Sequence, residues 1–466
     1  MSRHREKRRI PPVLLLGLIA SIAAAGYFGL RRGPAPAVAF APSLPAVGPS
    51  TSITITLTEP SRGLSSFRVL ADPGGIELLA EEHAPRAGWA LWRPVTSERA
   101  VTVQLGTEHQ PDLQEGTVEL TVETEAAGTW LLPPKALRET STLPVKLQPP
   151  ALQLVSDRPV VRQGGSGAVV YSIGERAVRH GVRVGELEVL GHPLPRADGD
   201  PDGSAHFVLY GVPHDLTDSG DIVLFAADEL GNRAERQFLS RFDARRFTAD
   251  EIRLSEDFLR SVVPAILDNS PEVSPSGDLL QDYLEVNRNL RRLGAERLRE
   301  MSARSTPERL WRGAFDQLPS SRVMAVFGDR RTYLFNGQAI DQQTHLGHDL
   351  ASVRRAPVPA AESGRVMLAE YFGIYGNTVV IDHGYGLLTL YSHLSSMSVA
   401  SGDSLTRGAE LGRTGVSGMA GGDHLHFSVV VGGVMVEPLE WWDRRWLESR
   451  LAGPLGEAFA IAGSGG

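Results

Sequence analysis

One stretch decides how the C-terminal third of the chain is interpreted, and it reads Asp423-His424-Leu425-His426-Phe427-Ser428-Val429-Val430-Val431. Its β-branched and aromatic residues predict a strand. On a strand, His424 and His426 share one face while Leu425 and Phe427 point to the core. Two imidazoles side by side on a strand are unusual as simple packing. The pattern therefore favours a metal-binding or acid–base role for this pair.

Two further clusters contain histidine within the same third of the chain. In the segment 344–349, His345 and Asp349 are four residues apart, and Gly347 between them lets a turn fold closely. Such a pair can direct an imidazole and a carboxylate at one ion, although alone it is more typical of a surface turn. In the strand-like segment 389–395, His393 taken singly is more typical of a structural residue.

Together the three clusters supply two imidazoles and one carboxylate for a metal, with one coordination position left for water and two more imidazoles for proton transfer. The chain has no cysteine, so any metal must be held by histidine and carboxylate. Zinc is favoured over iron or copper because no thiolate or redox partner is visible. Spacing alone leaves other divalent ions open.

These motifs carry a resemblance to a known family. Residues 323–446 resemble the zinc endopeptidase domain of the lysostaphin and LytM type, peptidase family M23. The ordered motifs that carry it are His345-Leu346-Gly347-His348-Asp349, Val380-Ile381-Asp382-His383-Gly384, Leu390-Tyr391-Ser392-His393-Leu394, Val399-Ala400-Ser401-Gly402-Asp403, Leu411-Gly412-Arg413-Thr414-Gly415 and His424-Leu425-His426-Phe427.

The resemblance implies a role for each of five residues. It implies that His345, Asp349 and His426 ligate Zn²⁺, and that His393 and His424 are the catalytic histidines. His348 occupies the variable position before the aspartate and is left out of the metal set. The implied scaffold is a compact, mostly antiparallel β fold with zinc in a groove walled by loops, and the implied substrate is the peptide stems of peptidoglycan.

The functional hypothesis is hydrolysis of peptidoglycan peptide cross-links by water that zinc activates, in remodelling of the cell wall. Either His424 or His393 takes a proton from water and passes one to the leaving amine, and the sequence does not distinguish them. One alternative is a catalytically inactive protein of the LytM fold that activates a cell-wall amidase. Such inactive proteins typically look as if they have lost zinc ligands. Another is an adhesion or scaffold protein.

Composition and the N-terminus define the expected class and location. The chain has 466 residues, a length that predicts several domains. Its net charge of −8 argues against nucleic-acid binding. A basic segment, residues 3–9, precedes an uncharged run, residues 10–30. We expect residues 1–32 to form a cytoplasmic tail and a single-pass membrane anchor, with a cleaved signal peptide as the alternative. The remainder would be extracytoplasmic, in the periplasm, where peptidoglycan lies.

Composition and periodicity predict a mainly β protein of several segments. Alternating apolar residues predict Ig-like β-sandwich domains over 51–150 and 151–245, with one larger β-domain as the alternative. The predicted segments are an anchor (1–32), a Pro/Ala-rich linker (33–50), the two β-domains, a helical segment (246–320), the peptidase domain (321–450) and a flexible tail (451–466).

The helical segment carries a regulatory hypothesis. Thr248 and Glu251 have capping-box spacing and predict a helix start. Farther on, leucines lie on one helical face and a basic cluster surrounds them. Such a cluster is typical of a solvated face. It more weakly indicates binding to an acidic wall polymer or to the membrane surface. These helices could lie across the groove and inhibit the enzyme, or serve only as a spacer or dimerising pair. No feature identifies a protein regulator. The leucines are Leu280, Leu284, Leu290 and Leu293, and the arginines are Arg288, Arg291, Arg292, Arg297 and Arg299.

Overall fold

The computed structural model describes residues 11–30, 35–59, 63–72, 75–82, 98–126, 128–129, 131–133, 135–195 and 201–462. The protein is mainly β, as predicted, with many antiparallel sheets. The chain divides into two compact units. Residues up to 149 together with 227–232 form the first, and residues 150–226 together with 233–466 form the second.

The first unit contains a helix and two antiparallel sheets. Helix α1 spans Pro12–Leu30. The strands are β1 (Ala37–Pro42), β2 (Thr51–Thr58), β3 (Leu64–Asp72), β4 (Ile76–Glu82), β5 (Glu98–Leu105), β6 (Gly116–Ala126) and β7 (Lys135–Val145). They form sheets of order β1-β2-β5 and β4-β3-β6-β7, whose alternating apolar residues share one core. The period-two prediction of strands is confirmed here, and the Ig-like assignment stays a prediction.

The predicted anchor coincides in position with α1. No helix in the described part of the chain combines the length and the apolar character needed to cross a membrane. The basic tail of residues 1–10 lies outside the described residues. The anchor therefore stays a prediction.

The linker predicted over 33–50 is wrong in part. Residues 37–42 form β1 and pair antiparallel with β2. Val38 and Phe40 pack against the core of this unit, and Val47 is buried in it. Proline discourages helix, but a Pro/Ala-rich composition does not prevent edge-strand pairing when alternate side chains reach a core.

Residues 150–245 form a β-region that belongs to the second unit except for residues 227–232. Its strands are β8 (Leu152–Leu154), β9 (Val160–Arg162), β10 (Ser166–Ile173), β11 (Arg179–Val184), β12 (Leu187–Leu190), β13 (His192–Pro195), β14 (Pro201–Gly211), β15 (Ile222–Ala227), β16 (Arg233–Gln237) and β17 (Arg241–Asp243). Two four-stranded sheets have the orders β13-β14-β10-β8 and β12-β11-β15-β16, and β9 pairs with β17. The hydrophobic core of this region includes Tyr171, Val182, Tyr210 and Leu224.

The predicted helical segment starts later than expected. Residues 249–254 form β18 (Ala249–Leu254), which pairs in parallel with β20 (Arg330–Phe335), so the capping box at Thr248 and Glu251 is wrong. The cap is Ser255, whose side chain accepts a hydrogen bond from the N–H of Phe258. Helices follow at α2 (Glu256–Asp268), α3 (Leu279–Glu285) and α4 (Arg291–Ala303), with a π-helical turn, Val286–Leu290, joining the last two.

The C-terminal region is built around one large sheet. Its strands are β19 (Arg322–Ala325), β21 (Gln338–Thr344), β22 (His348–Ala351), β23 (Pro357–Pro359), β24 (Gly364–Tyr371), β25 (Asn377–Gly384), β26 (Leu387–Ser392), β27 (Ser396–Met397), β28 (Ser404–Leu405), β29 (Glu410–Arg413), β30 (Leu425–Val431) and β31 (Val434–Val436). The order of the large sheet is β19-β22-β30-β26-β25-β24-β28, and β31 pairs with β30. Strands β18, β20 and β21 form a separate three-stranded sheet.

The helices pack on this sheet rather than standing apart from it. Tyr283, Val286 and Leu298 share a buried cluster with Val380 and Leu390 of the sheet. The helical run therefore contributes to the core of the C-terminal region. Autoinhibition by these helices stays a prediction.

The flexible tail predicted over 451–466 is wrong for its described part, residues 451–462. Leu451, Leu455 and Phe459 are buried in the core that also contains Trp311 and Trp441. The preceding helices are α5 (Pro438–Trp442), α6 (Arg444–Leu447) and α7 (Gly453–Leu455). Widely spaced apolar side chains anchor a segment whose composition alone is typical of a loose tail.

Candidate active site

Three neighbouring strands of the large sheet bring the candidate residues together. In the register of β22 and β30, Asp349 lies directly opposite His426. In the register of β26 and β30, Ser392 lies opposite the same histidine. His393 follows Ser392 and thus reaches the same end of the sheet, and His424 immediately precedes β30. Asp349 lies in a strand rather than in the turn that the sequence predicted.

Gly347 permits the close approach between the segment 345–349 and β30. A Cβ atom there would lie 2.5 Å from the Ser428 Oγ atom and 2.6 Å from the Phe427 carbonyl oxygen. Heavier side chains would push His345 away from His426. The close backbone approach that the sequence predicted at this glycine is confirmed.

The cluster His345, Asp349 and His426 has its ligand-type atoms in mutual contact. The His345 Nε2 atom lies 3.0 Å from Asp349 Oδ1 and 3.0 Å from His426 Nδ1. The His426 Nδ1 atom lies 2.9 Å from Asp349 Oδ1. Both histidines are buried and the aspartate is half-buried. We call these three residues the metal cluster.

Hydrogen bonds on the far side of each ring set the tautomers of the two histidines. His345 donates from Nδ1 to the Val326 carbonyl oxygen at 3.0 Å, which leaves Nε2 with a lone pair. Ser428 donates its hydroxyl proton to the Leu346 carbonyl, so its oxygen accepts from His426 Nε2 at 2.9 Å. His426 therefore directs the lone pair of Nδ1 into the metal cluster.

Electrostatics keep His426 and Asp349 in the protonation states that a cation requires. Burial lowers the pKa of His426 to about 4, so the ring is neutral near pH 7. Burial opposes ionisation of Asp349, but the surrounding imidazoles of His345, His424 and His426 hold the pKa of its carboxyl well below the usual value. The neutral imidazole of His426 and the carboxylate of Asp349 thus face one point together with the His345 ring.

This donor set fits a divalent cation. Two imidazole nitrogens and one carboxylate oxygen lie within 2.9–3.0 Å of one another, and a positive charge among them would stabilise this arrangement. Ligands of a tetrahedral zinc ion at about 2.0–2.1 Å are roughly 3.3 Å apart, close to the spacing here. Among the described residues, the metal cluster is the one group of three or more His, Asp or Glu side chains that could hold a metal ion.

His393 and His424 lie beside the metal cluster. Their ring centroids are 4.9 Å apart, and the His424 Nε2 atom lies 3.5 Å from Asp349 Oδ1. Each ring donates from Nδ1 to a backbone carbonyl, His393 to Ser417 at 2.8 Å and His424 to Gly422 at 2.7 Å. Both Nε2 atoms are therefore available to accept a proton.

The backbone at His393 adopts a conformation that is rare for a non-glycine residue, with φ of 61°. Its N–H donates to the Tyr375 carbonyl at 2.9 Å, and the next N–H, of Leu394, donates to the Asn377 carbonyl at 3.0 Å. These bonds hold a conformation that costs about 1–3 kcal/mol. The outcome is a ring directed toward His424 and His426 instead of along the strand.

The two rings differ in how readily they take a proton. Burial, with the nearby His424 and His426, holds the pKa of His393 well below its usual value. Burial also opposes protonation of His424, but the hydrogen bond and charge of Asp349 outweigh it and raise the pKa of that ring. His393 is thus neutral near pH 7, and His424 is the easier of the two to protonate.

His348 lies apart from the metal cluster. It is adjacent to Asp349 on β22 and therefore points to the opposite face. Its Nε2 atom lies 2.7 Å from Glu437 Oε1, and Glu437 also pairs with Arg245. The structure thus brings together the five residues assigned from the resemblance and separates His348 from them. The individual roles of the five stay predictions.

Sequence reasoning missed three residues around the cluster. Arg331 contacts Asp349 Oδ2 at 3.2 Å, and the Tyr375 ring lies 5.7 Å from that of His426. Neither carries a local signal, because both reach the site through tertiary packing. Ser428 is different, since it lies two residues after His426 on the same strand, and the period of two would have placed it on the same face.

Comparisons with known proteins agree with this geometry. Residues 343–438 match the profile described as Peptidase family M23. The DD-carboxypeptidase/endopeptidase Mpg of Neisseria meningitidis serogroup B is 34% identical over 125 residues, which cover 27% of this chain and 28% of that protein. The peptidoglycan DD-endopeptidase ShyA of Vibrio cholerae is 35% identical over 130 residues, covering 27% of this chain and 30% of that protein.

A solved structure, a putative peptidase M23 from Pseudomonas aeruginosa, covers 60% of this chain and 93% of its own at 20% identity, with a TM-score of 0.37. The matched segment spans less than a third of the length of either curated relative. The five candidate residues, His345, Asp349, His393, His424 and His426, all fall inside the profile match. Residues 343–438 are therefore a peptidase family M23 domain within this chain.

Proposed function

We propose that this protein is a zinc-dependent endopeptidase that hydrolyses the peptide cross-links of peptidoglycan. The observation that carries the proposal is the convergence of three ligand-type atoms, from His345, Asp349 and His426, beside two further imidazoles. The relatives named as peptidoglycan DD-endopeptidases support the substrate class.

The residues would hold Zn²⁺ through His345 Nε2, His426 Nδ1 and the Asp349 carboxylate. When bound, the ion supplies Lewis acidity to the scissile carbonyl and to the attacking water. Val326 and Ser428 keep the two imidazoles in the tautomers that direct lone pairs inward. This leaves proton transfer to the neighbouring rings.

His393 and His424 provide the proton transfers. Each has its Nδ1 proton bonded to a backbone carbonyl and its Nε2 lone pair available, so either accepts a proton from water at Nε2. The protonated ring then passes that proton to the leaving amine nitrogen and stabilises negative charge on the carbonyl oxygen. The alternative of an inactive amidase activator is not favoured, because the described residues retain the complete ligand set and both of these rings.

We also propose that the protein acts outside the cytoplasm, held at the membrane by its N-terminal segment. The support comes from the sequence alone, from the basic residues at 3–9 and the uncharged run at 10–30. This placement would bring the M23 domain to the peptidoglycan layer.

The test uses the purified full chain on isolated sacculi, with product masses read by mass spectrometry. Zinc-loaded protein should release peptide stems, chelator should stop the release, and added zinc should restore it. His424→Ala should reduce the rate about a hundredfold or more. The matched control, His109→Ala, changes an exposed histidine of the first unit and should leave the rate unchanged. Absence of released stems after zinc is restored would reject the proposal.

A further inference from the structure

An arginine-rich cleft lies beside the metal cluster. Its volume is about 770 Å³, which is within the range of ligand-binding clefts. One wall comes from α4 and the π-helical turn before it, and the other from β20 and β21. The arginines that line it are Arg288, Arg291, Arg292, Arg330 and Arg331.

The charges in the cleft do not balance. Arg288 pairs with Asp341, Arg292 with Glu296 and Arg331 with Asp349. No carboxylate among the described residues pairs with Arg291 or Arg330. The lining side chains in the described chain include no aspartate or glutamate. Two guanidinium groups of the cleft therefore remain to bind an anion.

The helix wall is held in place by direct bonds to β21. Asn287 donates to Asp341 Oδ2 at 2.7 Å, and Arg288 donates to Asp341 Oδ1 at 2.8 Å. The Arg291 Nε atom donates to Asn287 Oδ1 at 2.9 Å, which orients its guanidinium while leaving the other N–H groups free. Arg291 is thus preorganised, so less side-chain entropy is lost when it binds a ligand.

The cleft borders the metal cluster. Thr344 and Leu346, on either side of His345, both line it. Tyr375 lines it as well, and its ring lies 5.7 Å from that of His426. Arg331 lies in the cleft and contacts the metal-cluster aspartate at 3.2 Å. A peptide extending from the metal cluster would therefore enter this cleft.

We propose that the cleft binds a free carboxylate of the peptide substrate through Arg291 and Arg330. A guanidinium group matches a carboxylate with two parallel hydrogen bonds, and such charge-assisted bonds are about twice as strong as neutral ones. The amide and hydroxyl groups of Gln342, Gln343 and Thr332 can bond the adjoining peptide backbone. This inference rests on the proposed peptidase function, and it makes the enzyme selective for acidic stems.

The test compares matched substrates and variants of the full, zinc-loaded chain. The substrates are one cross-linked muropeptide with all carboxylates free, one amidated at the stem side-chain carboxylate and one amidated at the terminal carboxylate. The double variant Arg291→Gln/Arg330→Gln should raise KM for the free substrate about tenfold or more with kcat little changed. Arg291→Lys/Arg330→Lys should restore part of that loss, because the charge is retained.

The amidated substrates identify which carboxylate is bound. For the wild type, amidation of the recognised group should raise KM by a similar factor, and the double variant should show no further rise. Arg260→Gln removes an exposed arginine that pairs with Glu256 outside the cleft, and it should leave KM unchanged. Equal KM values for all three substrates in the wild type would overturn the proposal, as would an unchanged preference in the double variant.

A binding measurement separates this inference from the proposed function. The product peptide, free or amidated, is titrated into metal-free protein by calorimetry. If the zinc-loaded wild type cleaves nothing, the proposed function fails. The carboxylate site is still supported if the wild type binds the free peptide more tightly than the amidated one and the double variant shows no such difference. Equal binding of free and amidated peptides would overturn the site even if cleavage is observed.

Discussion

Two histidine–carboxylate clusters lie on opposite faces of the same short strand, β22, and differ in the contacts that their side chains make. Asp349 faces His345 and His426, and all three direct acceptor atoms at one another. The neighbouring His348 faces Glu437, and there a donor meets an acceptor. Composition does not distinguish the two clusters. The contacts distinguish them, since the first brings three ligand-type atoms to one point, whereas in the second a single histidine nitrogen bonds a carboxylate oxygen.

The second cluster is tied to the packing of the β-region 150–245 against the M23 domain. Both carboxylate oxygens of Glu437 have donors, His348 on one and Arg245 on the other. Burial opposes ionisation of Glu437, but these two partners lower the pKa of its carboxyl overall. A buried pair of this kind costs much when one partner is removed, because the other charge stays buried. We therefore expect it to affect stability and the metal cluster to affect activity.

The largest expected effects come from His345→Ala and His348→Ala, of which the first should lower activity and the second should lower stability. His345→Ala should abolish zinc binding and lower activity about a thousandfold or more, since metal polarisation contributes several kcal/mol to the rate. The metal-free variant should lose less stability than His348→Ala, because Asp349 keeps Arg331 and His426 as partners. Zinc content, peptidase rate and urea unfolding are measured together.

His348→Ala should show the reverse pattern. Glu437 would keep only Arg245, and the free energy of unfolding should fall by about 3–5 kcal/mol. The variant should still bind zinc under conditions where it is folded. If His348→Ala lost zinc as completely as His345→Ala, the separation of the two clusters would be refuted.

A smaller effect is expected at Glu440, which follows Glu437 on α5. Its carboxylate accepts from the N–H and hydroxyl of Ser166 in the β-region. Burial raises its pKa to about 7; the bonds from Ser166 and the charge of Arg162 oppose the rise, and the charge of Glu437 adds to it. The folded state thus binds this proton more tightly than the unfolded state. Its contribution to stability is complete below about pH 4.5 and is lost as the pH rises through about 7.

Glu440→Gln should remove this pH dependence. At pH 5 the variant and the wild type should have similar free energies of unfolding. At pH 8 the variant should be more stable by up to about 3 kcal/mol, since one pKa unit corresponds to about 1.4 kcal/mol. Urea unfolding at pH 5, 6, 7 and 8 measures the difference, with Glu448→Gln at an exposed pair with Arg444 as the control. A difference that does not grow with pH would contradict the assignment.

The smallest effect is expected for Ser428→Ala, which removes the hydroxyl that sets the tautomer of His426. The ring could then place its proton on Nδ1, so zinc affinity should fall about 10–100-fold. Stability of the metal-free protein should change little, because the imidazole stays buried in place. Competition with a zinc chelator measures the affinity. Ser395→Ala, at a hydroxyl bonded to the Arg413 and Thr414 carbonyls, is a matched control that should leave it unchanged.

Local patterns predicted strands of the M23 domain, and the roles of the five candidate residues stay predictions from the resemblance. Period-two alternation placed His426 on a strand with Phe427 in the core, and β30 has this arrangement. The errors lie where tertiary packing outweighs composition. Residues 37–42 pair as an edge strand, residues 249–254 pair with β20, and residues 451–459 insert apolar side chains into a core.

Residue types and spacing predicted a possible site of two imidazoles and one carboxylate, because a strand alternates its faces every second residue, and the resemblance to peptidase family M23 implied which residues these are. The tertiary structure decided which atoms meet. It separated His348 from Asp349, set each tautomer through Val326 and Ser428, and brought arginines of α3–α4 and β20 to one cleft. Contacts between segments distant in the chain depend on the packing of the whole core, which leaves no local periodicity to detect.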